Sequence, residues 1–373
     1  MRRQQAALER RDILAADMKI TIPLITIGLD LGDKKHAICV LNQAGEIIDE
    51  RTITNHRESI RRLSLKYPGA RIALEVGTHS PWISRFLSEL GHEVLVANPR
   101  KLRAIYASDR KSDKNDARIL ARIARLDPQL LYPIQHGTEE AQRDLLRMKM
   151  RDTLVRQRVC VINSVRMTLK SLGITLPKAP SSDYFARRCR SLLEERDKAL
   201  LDMLEPMLKS LDGTSEQIKE LDRAIEQLCE EKYPQTKRLR QICGVGPVTA
   251  LNFVLVIGDP ERFENPRDVA AYLGLVPRRD QSGGLDKKLR ISKAGDAYLR
   301  QLLVGSAQYI LGPFGKDCDL RRHGLMLAER GGKSSKKQAV VAIARKLAVL
   351  LLVLWKHERD YEPLRGQKPA EAA

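Results

Sequence analysis

Aromatic side chains are scarce in this chain, at 4% of its 373 residues, so stacking of bases on rings is not its main means of holding a nucleic acid. The six cysteines, Cys39, Cys160, Cys189, Cys229, Cys243 and Cys318, stand far apart, with no Cys-x-x-Cys and no Cys/His cluster. That spacing supports neither a zinc site nor a disulfide framework and points to a reduced, cytoplasmic protein. The most apolar stretch, Val340 to Trp355, is too short to span a bilayer and carries Arg345 and Lys346. The N-terminus is polar and Arg-rich and lacks the apolar segment of a signal peptide. Acidic residues are also in deficit: 47 Asp and Glu face 66 Lys and Arg, a formal net charge of +19. Such an excess anticipates a polyanionic partner, nucleic acid rather than membrane.

The length admits two or three domains with real cores. Residues 1–23 read as an N-terminal extension. From Leu24 the pattern turns to strands: Ile25, Ile27, Leu29 and Leu31 alternate with Thr26, Gly28 and Asp30, and Ala37–Leu41 and Ile47–Ile53 continue a meander. Helices are expected at Arg57–Lys66, Trp82–Leu90 and Asp113–Leu126, with strands at Arg71–Val76 and Glu93–Ala97. The order βββαβαβα over residues 24–136 is that of a ribonuclease-H-like (RuvC-like) mixed α/β domain. Residues 137–235 change character. Met148, Val155, Ile162 and Leu169 recur at seven-residue spacing, as do Leu204, Leu211, Ile218 and Ile225, which predicts an antiparallel hairpin or an oligomerising coiled coil. Between Gly137 and Arg190 there are 12 basic and 5 acidic residues, so this first arm can touch nucleic acid as well as pack. An α-rich segment fills 236–330, and 331–373 is a basic helical tail that opens on Lys333-Ser-Ser-Lys-Lys337.

Four carboxylates stand out against the positive charge. Asp30 sits in mid-strand on the face opposite the aliphatic residues, and Glu75 repeats that placement after Ile72 and Leu74; a turn Asp beside Gly32 is the alternative for the first. If these two strands pair, the two acids become neighbours that repel unless a cation lies between them. Asp113 and Asp116, at i and i+3, share the sheet-facing side of a helix with Ala117, Leu120 and Ile123. The plainer reading is that they complement the helix dipole behind a Ser112 cap. Hard oxygen donors of this kind suit Mg²⁺ or Mn²⁺, and two such ions can stabilise the attacking and leaving oxygens at a phosphodiester.

Two further motifs point to phosphate. Gly244-Val-Gly246-Pro247 before an apolar helix reads as a helix-hairpin-helix, whose backbone N–H groups hold a phosphate, or as an ordinary helix link. Pro277 to Lys293 is the densest basic loop, with Arg278, Arg279, Lys287, Lys288, Arg290 and Lys293 around Gln281-Ser282-Gly283-Gly284. On pattern alone Ser282 belongs to a turn.

The blocks Ile27-Gly-Leu-Asp30, Ala73-Leu-Glu75-Val-Gly77, Asn98-Pro99 and Lys111-Ser-Asp113-Lys-Asn-Asp116-Ala117 occur in order, followed by Ile242-Cys-Gly-Val-Gly246, Ala271-Tyr-Leu-Gly-Leu-Val-Pro277, Gln281-Ser282-Gly283 and Ile291-Ser-Lys-Ala-Gly295. With these blocks the chain resembles a DEDD transposase of the bridge-RNA-guided insertion-sequence family, over about residues 24 to 355. The resemblance implies that Asp30, Glu75, Asp113 and Asp116 bind divalent metal and that Ser282 becomes covalently joined to cleaved DNA. A phosphoserine link conserves the energy of the broken phosphodiester, so strands can be rejoined without ATP. It also implies element-end and target DNA as substrates, a structured guide RNA, a dimer or tetramer, and action at the prokaryotic nucleoid. A RuvC-like nuclease using water and a non-catalytic nucleic-acid-binding protein are the alternatives.

Overall fold

A computed structural model describes residues 24–102, 112–176, 181–282, 285–332 and 334–365, with the side chains of residues 100, 101 and 279–288 outside that description. The N-terminal extension, residues 1–23, lies outside the described residues. The chain forms two compact units, residues 1–139 and 140–373.

In the first unit, β1 (Ile25–Asp30), β2 (Lys35–Asn42) and β3 (Ile47–Thr54) form the expected antiparallel meander. β4 (Arg71–Glu75) then pairs parallel to β1 and β5 (Glu93–Ala97) parallel to β4, which gives the order β3-β2-β1-β4-β5. This mixed sheet, with its helices, fits a ribonuclease-H-like domain. The helices are α1 (Arg57–Lys66), α2 (Ser80–Glu89), α3 (Pro99–Leu102) and α4 (Asp113–Leu126). β1 and β4 are buried on both faces. Ile27, Leu29, Ile72 and Leu74 pack with Ile60 and Leu63 of α1 and Ile83 and Leu87 of α2. Each fully buried aliphatic side chain of this kind contributes about 1.5–3 kcal/mol.

The opposite face is lined by small residues, and α4 lies on it. Ala37, Cys39 and Leu41 meet Ala117 and Ala121, while Ala73 and Ala97 meet Leu120 and Ala124. Gly28 shows why the residues are small: a Cβ there would stand 1.9 Å from the carbonyl oxygen of Ala117. Polar contacts fix the direction of the helix. Near its end, Arg71 Nη1 donates to the Ala124 carbonyl at 3.1 Å and Arg125 Nη2 donates to Ala44 at 2.9 Å, both at the amino end of β1 and β4. Its N-terminus therefore points to the carboxyl ends of those strands.

The second unit is mostly helical. α5 (Glu139–Ser171) and α7 (Lys198–Glu231) are antiparallel, as Arg151 paired with Asp222 at 2.7 Å and Arg158 bonded to Ser215 at 3.4 Å require. The heptad residues Leu211 and Ile218 are buried within the chain. A helix absent from the sequence reading, α6 (Phe185–Arg196), packs Phe185, Cys189 and Leu193 into the same cluster. Beyond them come α8 (Thr236–Leu239), α9 (Pro247–Ile257), α10 (Asp268–Tyr272), α11 (Ala297–Leu311), α12 (Asp319–Glu329) and α13 (Ser335–Lys356). At 22 residues α13 is long and apolar enough to cross a membrane, longer than the stretch singled out in the sequence. Its Ile343, Ala344, Leu347, Leu351 and Leu352 are instead buried in the core with Phe253, Leu299 and Leu303.

The basic loop is corrected: it is an antiparallel hairpin, β6 (Pro277–Ser282) and β7 (Leu285–Ile291), with Ser282 opposite Leu285. Leu285, Leu289 and Ile291 alternate with charged residues, and Gly283-Gly284 is a two-residue hairpin signal that the density of Arg and Lys obscured.

Candidate active site

The parallel register of β1 and β4 sets Ile27 opposite Ile72, Gly28 opposite Ala73 and Leu29 opposite Leu74. Asp30 and Glu75 are the next residue on each strand. Both follow the period-two alternation onto the face of Gly28 and Ala73, which is the face that α4 covers. Both side chains are half-buried. The first turn of α4 overhangs this end of the sheet. Its N-cap is Ser112, whose hydroxyl accepts from the Asn115 N–H at 3.3 Å, as the capping reading of this segment expects. Asp116 is half-buried and Asp113 exposed. Asp113 lies on the line of Ala117, Leu120 and Ala124, one turn before Ala117, and is exposed to solvent, where the sequence reading turned it towards the sheet.

The fold thus brings the four acids to one end of one sheet, but as two pairs. Among the described residues, no three His, Cys, Asp or Glu side chains converge closely enough to hold a metal ion. The donor chemistry, four carboxylates and no sulfur or imidazole, is that of a hard divalent cation. The residues fit such an ion by the chemistry of their donors.

The loops that follow the two strands are tied together by residues that the sequence reading did not single out. His79 Nε2 lies 3.2 Å from Asp33 Oδ1, joining the loop after β4 to the loop after β1, and Asn55 Nδ2 donates to the Asp33 carbonyl at 2.9 Å. Ser80 donates to the Gly77 carbonyl at 2.8 Å, accepts from its N–H at 3.0 Å, and stands 2.9 Å from His136 Nε2. Burial, and then the charge of Arg85, holds His136 below its ordinary pKa, so it serves this tie as a neutral ring. Asn98, next to the Glu75 partner Ala97, sits at the same sheet end, its N–H bonded to Leu131 at 3.0 Å.

α4 is anchored by a distant partner. Arg118 donates from Nη2 to Glu50 Oε2 at 2.7 Å and from Nε to the other carboxylate oxygen. Those bonds hold the Glu50 carboxyl below its usual range.

Ser282 belongs to the second unit, as the last residue of β6. Its side chain, with those of Arg279, Lys287 and Lys288, lies outside the described residues. The foot of the hairpin is well fixed. A Cβ at Gly274 (φ +68°) would stand 2.1 Å from the Ala294 nitrogen, and one at Gly295 (φ +66°) would stand 2.3 Å from the Tyr272 oxygen. Only glycine admits both the left-handed backbone and the close approach. Arg300 donates to the carbonyls of Leu273, Ala294, Gly295 and Asp296, clamping the strand ends. Arg278, Arg290 and Lys293 are exposed, Lys293 with φ +54°. Gly244 (φ +90°) turns the chain tightly against Tyr309 and Ser306, and Gly246 is the N-cap of α9, with open space where its Cβ would be.

Comparison with known proteins follows this two-part geometry. Residues 236–314 match the model described as "Transposase IS116/IS110/IS902 family", and residues 27–174 match a DEDD transposase model of the IS110 type. The transposase for insertion sequence element IS1111A of Coxiella burnetii is 28% identical over 342 residues, 90% of each chain. A probable family 20 transposase of Pseudomonas aeruginosa is 27% identical over 346 residues, 91% of this chain and 99% of its own. The pilin gene-inverting protein of Moraxella bovis is 25% identical over 353 residues, 90% of this chain and 97% of its own.

Proposed function

Because the chain belongs to the DEDD transposases of the IS116/IS110/IS902 family, and so acts on DNA, we propose that it cuts and rejoins strands through a covalent link to Ser282. The Ser282 hydroxyl oxygen attacks phosphorus, a deoxyribose oxygen leaves with the bond electrons, and the hydroxyl proton passes to solvent. Attack by the freed deoxyribose oxygen of another strand reverses the step and restores the serine. Likeness to a protein named for inverting a gene supports rejoining as well as cutting.

Asp30, Glu75, Asp113 and Asp116 hold the divalent metal, which we take as two Mg²⁺ or Mn²⁺ ions. When bound, such ions neutralise phosphate charge and lower the pKa of an attacking hydroxyl. The carboxylates orient that charge; the ties through His79 and Ser80 hold the loops behind Asp30 and Glu75. The observation that carries this reading is the register that leaves Asp30 and Glu75 side by side beneath the N-terminus of α4. Asp30→Asn should reduce Mg²⁺-dependent cleavage by about a hundredfold or more, since removing one group that stabilises transition-state charge costs about that much. Undiminished cleavage by this variant would remove the acids from the chemistry.

The substrates are element ends and target DNA, selected with a structured guide RNA in the cytoplasm, at the nucleoid. Contacts run through Gly244, Gly246 and the hairpin residues Arg278, Arg279, Lys287, Lys288, Arg290 and Lys293. The long helices support self-association into a dimer or tetramer: Leu146 and Met150 are exposed on α5, whereas Leu211 and Ile218 are committed to the internal hairpin. Leu146→Glu with Met150→Glu should lower the mass measured by light scattering, and an unchanged mass would place the interface elsewhere.

A further inference from the structure

The Lys-rich opening of α13 has no part in the chemistry above, yet it borders a cavity of about 1280 Å³ in the second unit. Seven Lys or Arg side chains and two carboxylates, Asp319 and Glu362, line it. Lys337, Arg345 and Lys346 come from the face of α13 turned away from the core, and Arg267 and Arg290 stand among the other walls. Among the described residues, none of these five has a carboxylate partner within ion-pair distance. The local field is positive enough to register on a neighbour: His323, also in the lining, is held below its ordinary pKa by burial and then by Lys346 and Arg330. Between the cations the surface is aliphatic, with Val341, Val349, Leu350 and Val353 one to three turns apart on α13.

Cations around an aliphatic floor match one kind of polyanion. A duplex turns its phosphates outward and keeps its base faces stacked inside, so it cannot bring both to such a surface. A single strand can, with phosphates on the rim and unstacked bases on the floor. The position of the cavity is equally specific. Pro277, at the foot of β6, and Leu289 to Ile291 of β7 form one wall. Ser282 ends the same β6, five residues further on, about 17 Å at the rise of a strand.

We propose that this cavity is a binding site for single-stranded nucleic acid, which holds the unpaired strand beside the hairpin that carries Ser282. The delivery role rests on the reading of Ser282 as the attacking residue; the binding site does not. Few aromatics line it, so it discriminates little between bases and depends strongly on salt.

The test uses the full chain carrying Ser282→Ala, so that binding is read without cleavage. The probes are a fluorescein-labelled single strand of about 12 nucleotides, a length within the range of known single-strand sites, and the duplex of the same sequence. Arg345→Gln with Lys346→Gln changes two exposed helix positions to a residue that keeps the helix. Single-strand affinity should fall about tenfold and the salt slope by about 1.4, at about 0.7 for each phosphate no longer neutralised, while duplex affinity changes by less than about threefold. The charge-keeping pair Arg345→Lys with Lys346→Arg should restore single-strand binding. Equal losses on both probes, no loss on either, or a loss of oligomer mass in place of affinity would overturn the proposal, the last by assigning the cavity to an acidic protein segment. If the affinities shift as expected but wild type forms no adduct with DNA, the cavity stands and the nucleophile reading falls.

Discussion

At the scale of single residues the site depends on what is small as much as on what is charged. Gly28, two residues before Asp30, lets the α4 backbone lie directly on β1. Gly28→Ala would force a methyl group into the Ala117 carbonyl, and overpacking of this kind costs about 3 kcal/mol. The melting temperature of the unit should fall by about 10 °C, with cleavage lost in parallel; an unchanged melt would mean that α4 sits further from the sheet. The strand positions of Asp30 and Glu75 were legible in the sequence because each falls, by the alternation, on the face opposite the aliphatic residues of its strand. His79 and Ser80 were not, since their partners, Asp33 and His136, lie 46 and 56 residues away. No local pattern encodes a pairing over that distance.

At the scale of elements, the position of α4 is the variable that sets the distance between the two acid pairs. Its anchor to the sheet edge is Arg118 on Glu50, a partly exposed pair that solvent screens. Because these bonds depress the Glu50 pKa, the stabilisation is present above the ordinary carboxylate value and is lost as pH falls through the depressed one. Circular dichroism in an acid titration should show Glu50→Gln less stable than wild type above the ordinary carboxylate range, with the difference shrinking as the pH falls below that range. A difference that grew with acidity would contradict the assignment. The boundaries of α1 and α4 were readable from periodicity and caps, and β5 from its short apolar run. The β6–β7 hairpin was not, because Arg and Lys occupy the positions where a strand ordinarily shows its apolar face. α6 was hidden for a related reason, with four arginines among its twelve residues. Its burial rests on Phe185, Cys189 and Leu193, too few to set a period.

At the scale of the whole molecule, the proposed function divides its chemistry between two compact units: carboxylates for a divalent ion on the first and a hydroxyl for covalent capture on the second. The net charge of +19 serves both, since each needs the same polyanion. Duplex binding should weaken steeply with salt, with a logarithmic slope of about −5 if some six phosphates are neutralised. A flat profile would dissociate the charge from DNA contact. The division of labour itself is best tested by incubating end-labelled element DNA with protein and Mg²⁺, then denaturing and resolving the products. Wild type should yield a slow-migrating, protease-sensitive DNA–protein band, absent with Ser282→Ala and with Asp30→Asn. Cleavage by wild type without such a band, together with normal cleavage by Ser282→Ala, would contradict the account and leave a metal-dependent nuclease that uses water.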